Sequence, residues 1–363
     1  MSSTSSLAAL GAAAATSGCL PRSGVADYEA AEHETWRTSA RLQADALSIQ
    51  RELVRYAVLA PSSHNTQCWK FRIRNASISI VPDYGRRCRA VDPDDHHLFV
   101  SLGCAAENLV QAALASGLMA ERKPTSVIDE GISLSLSVTK MIQTEKFLAI
   151  PARQCTRTEF DSKPLSVREL LQLERAGSGD GVHCRLITDD REKEKCLEFV
   201  IAGNTAQMRD AALMTELKSW IRFNRRAALE LRDGLYVGTT GNPELPTWLG
   251  NSIFELVFRP KSENDKYARQ IRSSSGLAVF ISESNDPAHW IEAGRCYQRF
   301  ALQATSMGIR NSMLNQPVEV ASIRPAFANH VGLTQGRPDL VVRFGRAPET
   351  KRSMRRLVES VLI

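Results

Sequence analysis

The stretch that decides the fold is APSSHNTQCWKF, residues 60–71 of a chain of 363. Pro61 and the hydroxyl and amide side chains after it predict the end of a helix and a turn, and Trp69 begins a strand. Side-chain amides both donate and accept hydrogen bonds, so Asn65 and Gln67 can match a heterocycle edge that mixes donors and acceptors. The alternative is an ordinary turn rich in Asn and Ser, which the residues alone favour.

Apolar spacing places further elements on both sides of this turn. In the first part of the chain it predicts a helix over 36–59, strands over 70–73 and 77–81, a helix from Asp92-Pro93 to Gly117, and a strand over 132–138. In the second part it predicts a helix over 165–176, a strand over 183–187, mostly helix over 191–232, a strand over 277–281, a helix from Asp286-Pro287 to Gly308, and a strand over 339–344. Both parts therefore mix long helices with short strands.

The two parts resemble each other. Gly103 and Gly117 are separated by 14 positions in an alanine-rich helix, and Gly294 and Gly308 repeat that spacing in a second helix that also begins with Asp-Pro. An Arg-Glu-Leu triplet precedes the first strands of each part, at 51–53 and at 168–170. These coincident features predict an internal duplication.

Two basic segments have the chemistry of an anion site. Arg153 and Arg157 flank Gln-Cys-Thr at a spacing of four, which puts both guanidinium groups on one face if the segment is helical, with Thr156 as a hydroxyl beside them. Forked donors with a permanent charge suit a phosphate. The tail adds Arg355 and Arg356, next to Lys351 and Arg352. The alternative for both segments is a solvated basic surface.

The turn at 60–71 resembles the Pro-Ser-Ser-x-Asn-x-Gln-Pro-Trp signature of the FMN-dependent nitroreductases, and in particular their Acg-like branch, whose members carry two fused copies of the fold. The likeness runs from about Trp36 to the C-terminus and includes 82–83, 92–93, 101–104, 107–109 and 314–319. Cys68 departs from the signature, because the family usually has Pro there. The segment 153–157 is similar to the family's Arg-x-Ser-x-Arg motif, which holds the FMN phosphate.

The resemblance implies an α+β, nitroreductase-like fold, a tandem pseudo-dimer with helices around mainly antiparallel sheets. It divides the chain into a leader or linker at 1–35, a first half at 36–145 and a second half at 146–363 with a lid-like insertion at about 231–260. The cofactor would be a single FMN between the halves, because 177–181 is glycine-rich where the first half has the signature turn. The residues implied to bind it are Pro61, Ser62, Ser63, Asn65, Gln67, Arg153, Thr156, Arg157, Asn315, Arg355 and Arg356.

The function implied is an FMN-binding oxidoreductase that passes electrons from NAD(P)H to a small electron-poor acceptor, a nitroaromatic or a quinone-like compound. The alternative is a protein that binds or sequesters flavin with little turnover. The cofactor carries the chemistry, so no protein acid, base or nucleophile is named. No metal is expected either: Asp92, Asp94, Asp95, His96 and His97 are interpreted as helix-capping neighbours that converge poorly.

Bulk properties exclude other classes of protein. The net charge of +6 comes from basic residues spread along the chain, which argues against a nucleic-acid surface. The eight cysteines form no CxxC pair. The apolar run 7–16 is too short to span a bilayer, and Ser17-Gly18-Cys19 resembles a bacterial lipoprotein cleavage box without the usual basic start, so the protein is expected in the cytoplasm or exported to the envelope. A monomer or weak homodimer that acts on small molecules is expected.

Overall fold

The computed structural model describes residues 23–38, 45–123 and 131–363. The predicted apolar run 7–16 and Cys19 lie outside the described residues. In chain order the elements are α1 (Ser23–Thr35), α2 (Ala46–Val58), β1 (Trp69–Arg74), β2 (Ser77–Pro82), α3 (His96–Ala115), β3 (Leu118–Arg122), β4 (Ile132–Val138), α4 (Glu145–Ala149), α5 (Val167–Gly177), β5 (Val182–Ile187), α6 (Asp190–Arg209), α7 (Ala211–Trp220), β6 (Ile221–Arg222), α8 (Arg225–Leu231), β7 (Leu235–Tyr236), α9 (Thr247–Val257), α10 (Pro260–Arg272), β8 (Gly276–Ser282), α11 (Pro287–Ser306), β9 (Arg310–Met313), α12 (Gln316–Glu319), α13 (Arg324–His330), β10 (Arg337–Gly345) and α14 (Val358–Val361).

Two four-stranded sheets share one topology. The first has the order β1-β2-β4-β3 and the second the order β5-β8-β10-β9, and every neighbouring pair within them is antiparallel. In each sheet a long helix, α3 or α11, connects the second strand to the third. The repeated connectivity supports the predicted duplication, and the division at 36–145 and 146–363 stays a prediction.

The two units are joined where α3 crosses α11. A Cβ atom built on Gly103 would lie 2.0 Å from the carbonyl oxygen of Ile291, and one built on Gly294 would lie 2.0 Å from that of Val100. Ile291 and Val100 each stand three positions before the glycine of their own helix, so the contact has two equivalent sides. The pair of glycines therefore lets the two backbones meet at the centre of one continuous hydrophobic core.

The remaining connections interlock the units. The C-terminus returns to the first sheet, where Leu362 forms a parallel bridge with Phe71 and the Ile363 N–H donates to the Phe71 carbonyl at 2.9 Å.

Among the described residues α3 is the one helix long and apolar enough to cross a membrane, and 83% of its most apolar window is buried inside the protein. Its sequence is therefore that of a core helix.

Local signals explain several of the predicted elements. Asp286 accepts from the His289 N–H at 3.1 Å and Pro287 follows it, so α11 begins as the Asp-Pro pair predicts. For α3 the predicted start at Asp92 is wrong, because the helix begins at His96 with Asp95 in a left-handed conformation before it. Asp92 still accepts from the helix, from the N–H groups of His97 and Leu98 at 3.0 and 2.9 Å.

Other elements differ from the predictions. Residues 23–35 form a helix, α1, although the sequence indicated a leader or linker there, and β3 and β9 were not predicted. α1 is held by contacts that sequence spacing cannot show: the Tyr28 hydroxyl donates to the Arg352 carbonyl at 2.7 Å, and the Trp36 indole donates to the Ser353 carbonyl at 3.1 Å. The predicted helix over 36–59 corresponds to the shorter α2.

Candidate functional site

A cavity of about 390 Å³ lies between the two units. Its walls come from the signature turn, α3, the segment around 153–157, β9, the insertion after α6 and the basic tail. It takes in eight of the predicted site residues: Pro61, Ser62, Ser63, Asn65, Arg153, Arg157, Asn315 and Arg355. The structure thus brings together the predicted turn of the first unit and the predicted arginines of the second.

The signature turn is held in an unusual backbone conformation. His64, Asn65 and Gln67 have φ values of 47°, 55° and 53°, in the left-handed region that non-glycine residues rarely adopt. The Ser62 Oγ accepts from the Gln67 N–H at 2.9 Å and closes the turn. Strain of this kind costs on the order of 1–3 kcal/mol per residue and is concentrated at binding sites.

The side-chain amide of Asn65 is hydrogen-bonded through its nitrogen but not through its oxygen. Its Nδ2 donates to the carbonyls of Gly234 and Met354 at 3.0 and 3.3 Å, while its buried Oδ1 has no hydrogen-bond partner among the described residues. A buried acceptor without a partner is expensive unless a ligand supplies a donor. The turn therefore holds an acceptor next to the cavity.

Gln67 does not line the cavity, and its predicted contact with the ligand stays a prediction. Its side chain is fully buried, its Nε2 donates to the Arg232 carbonyl at 2.9 Å, and its Oε1 accepts from the Arg356 N–H at 2.7 Å. These partners lie about 165 and 289 positions away in the chain. Gln67 therefore holds the insertion and the tail against the signature turn.

Three arginines give the cavity a positive wall. In the part of the chain that the structure describes, Arg153, Arg157 and Arg355 form no ion pair with a carboxylate. Arg153 is 3% exposed, with one nitrogen on the Leu59 carbonyl at 3.2 Å and Nη1 unpartnered. Arg157 contacts the Thr239 hydroxyl at 3.4 Å. Buried cations without counter-ions mark a place for an anion.

The pKa of Arg355 is lowered by its buried, positively charged surroundings. Burial, and then the charge of Arg153, lower the pKa of Arg355 to about 9. Its guanidinium lies 4.8 Å from the ring centroid of Trp36, in cation–π contact, and its Nε has no partner. Trp36 also lines the cavity, and no motif in the sequence pointed to it.

Thr156 does not take the predicted hydroxyl role. It is fully buried away from the cavity, where its N–H donates to the Asn311 carbonyl at 2.9 Å and its own carbonyl accepts from Arg343 at 2.8 Å. Cys155 lines the cavity in its place, with its Sγ 3.5 Å from the Ser312 hydroxyl. The segment is extended, not helical, and Arg153, Gln154, Cys155 and Arg157 line the cavity while Thr156 does not.

Cys155 differs chemically from the other described cysteines. Burial raises the pKa of its thiol, but the Arg157 charge and the contact with Ser312 outweigh burial, so the pKa is lower than usual. Burial raises the pKa of the other six described cysteines, Cys68, Cys88, Cys104, Cys184, Cys196 and Cys296. The cavity thus stabilises a negative charge at Cys155.

Two further predicted residues have protein partners of their own. Arg356 lies outside the cavity, where its guanidinium contacts the carbonyls of Gln67 and Ser360 at 3.3 and 2.8 Å, and burial lowers its pKa. Asn315 lines the cavity, but its Oδ1 accepts from the Val341 N–H at 3.0 Å. Arg356 is therefore a brace for the turn, whereas Asn315 keeps its place on the cavity wall.

The insertion is closed over the signature turn. The Gly234 N–H donates to the Asn65 carbonyl at 3.2 Å, and the Asn65 side chain donates back to the Gly234 carbonyl. The buried carboxylate of Asp233 binds Arg222 at 2.6 Å and also pairs with Arg86 of the first unit. The insertion therefore forms a wall of the cavity in this conformation.

Comparisons with known proteins agree with this architecture. The chain is 25% identical over 306 residues to "Putative NAD(P)H nitroreductase Rv3131" of Mycobacterium tuberculosis H37Rv, which covers 82% of this chain and 85% of that protein. It is 23% identical over 306 residues to "Putative NAD(P)H nitroreductase acg" of the same strain, which covers 82% and 89%. A crystal structure of a nitroreductase with bound FMN from Bacteroides fragilis matches with a TM-score of 0.36 and 17% identity, over 58% of this chain and 95% of that one.

No protein-family model matches the chain. The alignment to the two mycobacterial proteins is longer than either predicted half, so the similarity extends across both units. The resemblance predicted from the signature turn is confirmed: the chain is similar over both units to two proteins named as putative NAD(P)H nitroreductases, and it has the predicted α+β architecture with antiparallel sheets.

Proposed function

We propose that this chain is an FMN-binding oxidoreductase that takes electrons from NAD(P)H and passes them to a small electron-poor acceptor such as a nitroaromatic or a quinone. The observation that carries the proposal is the set of three arginines without carboxylate partners in one cavity, facing a turn with an unpartnered amide oxygen. The names of the two mycobacterial relatives support the same activity.

The residues of the cavity fit FMN. The cavity volume of about 390 Å³ lies in the usual range for small-molecule sites. Arg153, Arg157 and Arg355 would hold the phosphate, since none of them pairs with a carboxylate of the described residues and Arg153 and Arg355 each have a buried nitrogen without a partner. The Asn65 Oδ1 would accept from the single N–H on the edge of the flavin ring, and Ser62 and Ser63 offer hydroxyls on the same wall.

We infer one site per chain. The second unit has 177–181 between α5 and β5, where the first unit has its signature turn between α2 and β1. A side chain on Gly179 would collide with Arg299 and Glu292, and one on Gly181 would collide with His289. That loop is thus packed against its own unit, and it offers no amide side chains to a ligand.

The chain's own part in the reaction is binding and orientation. When bound, FMN supplies two-electron transfer between a nicotinamide and an acceptor. The arginines would fix one end of the cofactor and the signature turn the other, and residues 235–242 of the insertion would form part of the wall around it. We name no acid or base in the chain for this step.

The alternative, a flavin-sequestering protein, is favoured by one observation. The insertion is tied to the signature turn by the two hydrogen bonds between Gly234 and Asn65, and this closed arrangement would restrict the approach of a nicotinamide to a flavin bound at the turn. Anaerobic addition of NADH and of NADPH to the flavin-loaded protein separates the two functions. Loss of the visible flavin band, followed by its return when a nitroaromatic or a quinone is added, supports the oxidoreductase. A band that persists with both nucleotides supports sequestration.

Cys155 gives a direct probe of cavity occupancy. We expect iodoacetamide to modify it with a pH midpoint below that of an ordinary thiol, because the lowered pKa makes the thiolate available at lower pH. FMN at ten times its Kd should slow the reaction about 11-fold, since only the free protein reacts. Peptide mass spectrometry measures both effects.

Cys104 is the internal control for this experiment, because it lines the same cavity but burial raises its pKa. It should stay unmodified under the same conditions. Modification of Cys155 at the same rate with and without bound FMN would show that the flavin lies elsewhere.

A further inference from the structure

A cluster of potential metal ligands lies at the start of α3. Asp92, His96 and His97 each present one ligand atom within 4.8 Å of the other two, and all three side chains are buried. Sequence reasoning interpreted these residues as capping neighbours that point apart. They converge because α3 begins only at His96, so Asp92 lies in the preceding loop and folds back over the first turn.

Asp339 on β10 contacts both imidazole rings. The Nε2 of His97 lies 3.2 Å from the Asp339 backbone carbonyl, which can only accept, so a proton on Nε2 would donate to it. The Nε2 of His96 lies 2.7 Å from the Asp339 Oδ1, and it donates to that oxygen when the carboxylate is ionised. In a neutral ring the other nitrogen then has a bare lone pair.

Both of those nitrogens lack a partner. The Nδ1 atoms of His96 and His97 are buried and have no hydrogen bond within the part of the chain that the structure describes. The Glu319 Oε1, on α12, lies 3.6 Å from the Nδ1 of His97. This contact is an ion pair when the Nδ1 is protonated, and a metal ion can take the place of that proton.

We propose that Asp92, His96 and His97, together with Glu319, bind a divalent transition-metal ion such as Zn²⁺. Imidazole nitrogens and carboxylate oxygens are ligands that this class of ion prefers. An imidazole that ligates a metal usually donates its other N–H to a carboxylate or a carbonyl, and Asp339 supplies one of each. The proposal does not depend on flavin binding.

The surroundings allow such an ion to enter and to be balanced in charge. His97 and Glu319 line the cavity, which gives the ion a path from solvent. The neighbouring Arg337 is paired with Asp94 at 2.6 Å, and Arg324 donates to the Val318 carbonyl at 2.6 Å. Asp92 and Glu319 bring two carboxylates to a dication, while Asp92 also accepts from the N–H groups of His97 and Leu98 and Glu319 accepts from the Gln207 amide at 2.6 Å.

A second group, His64, Cys88 and Glu216, is the competing location. The carboxylates do not distinguish the two groups, because Glu216 accepts from the N–H groups of Ala90 and Val91 as Asp92 does from those of His97 and Leu98. The imidazoles do: the His64 Nδ1 already lies 3.5 Å from the Cys88 Sγ, whereas the Nδ1 atoms of His96 and His97 have no hydrogen bond among the described residues. We therefore assign the ion to the cluster with the unpartnered nitrogens.

To test this, the full chain is first stripped of metal with a chelator and then titrated with Zn²⁺. Competition with a chromophoric chelator measures the affinity and the number of bound ions. We expect one ion per chain. Asp339→Asn should weaken binding about 10–100-fold, as loss of an outer-shell carboxylate does. His97→Gln should weaken it at least as much. His183→Gln is the matched control, because His183 is exposed and pairs with Glu283 and not with a member of the cluster, and it should leave binding unchanged.

A spectrum of the unmodified protein with Co²⁺ keeps the test independent of variant folding. Ligands from the proposed cluster are nitrogen and oxygen only, so no thiolate-to-cobalt charge-transfer band is expected. That band, or loss of binding in Cys88→Ser, would place the ion at His64 and overturn the proposal. So would the absence of any bound ion, or wild-type affinity in a folded His97→Gln protein.

Discussion

Replacing Arg153 with Ala is expected to weaken FMN binding at least about 30-fold, since loss of one partner of a buried charge pair costs about 2–5 kcal/mol. Arg153 is buried, has one unpartnered nitrogen, and lies in the same cavity as Arg157 and Arg355. The proposed phosphate is the anion that this group lacks. Quenching of flavin fluorescence during titration measures the affinity.

The same variant should be more stable than the unmodified protein when flavin is absent. A buried guanidinium without a counter-ion opposes folding. Removing it also removes the charge repulsion with Arg355, whose pKa the charge of Arg153 helps to lower. Thermal unfolding of the flavin-free proteins measures this effect. A variant that is more stable without flavin but binds FMN more weakly has lost a binding residue, whereas loss of a structural residue would lower the stability as well.

Arg226→Ala is the matched control for this experiment. Arg226 is exposed and pairs with Glu230 one helical turn away, so neither affinity nor stability should change appreciably. If Arg153→Ala binds FMN as tightly as the unmodified protein, the anion site has been assigned to the wrong residues.

Replacing Gly103 with Ala is expected to destabilise the protein by about 3 kcal/mol or more, although the same change inside a helix ordinarily stabilises it by about 1 kcal/mol. The added methyl group would lie 2.0 Å from the Ile291 carbonyl oxygen and 3.1 Å from the Arg295 nitrogen, both backbone atoms of α11. The helices must separate to admit it, and the core between the units separates with them. Denaturation by urea measures the loss.

Gly85→Ala controls for the substitution itself. A Cβ atom at Gly85 would meet only the Asp83 carboxylate at 3.4 Å, an ordinary contact distance, so stability should change little. Equal stability of the Gly103→Ala and Gly85→Ala proteins would contradict the close crossing of α3 and α11. Gly294→Ala should act like Gly103→Ala, because it meets the Val100 carbonyl oxygen at the same distance.

Features that depend on local chemistry could be predicted from the sequence. Asp286 and Pro287 begin α11 where expected, because a side-chain cap and a fixed φ act over three residues. The strands over 70–73 and 77–81 form the β1–β2 hairpin across 75–76. The matched glycines of the two long helices indicated the repeat, and the first of each pair, Gly103 and Gly294, lies at the helix crossing.

Features set by distant contacts could not be predicted. Gln67 has an amide like that of Asn65, but its oxygen is taken by the N–H of Arg356 from the other end of the chain. The choice between Cys155 and Thr156 depends on whether 153–157 is helical or extended, and its pairing with Asn311 decides that. Trp36 became part of the cavity wall through its contacts with the tail.

The central claim is that the two units form one flavin site between them. The most direct test is the visible absorption spectrum of the purified full chain, with the chromophore released by denaturation identified and counted. The account predicts FMN at about one equivalent per chain, either as purified or after FMN is added. A colourless protein that takes up no added FMN would contradict it, and two equivalents per chain would contradict the single site.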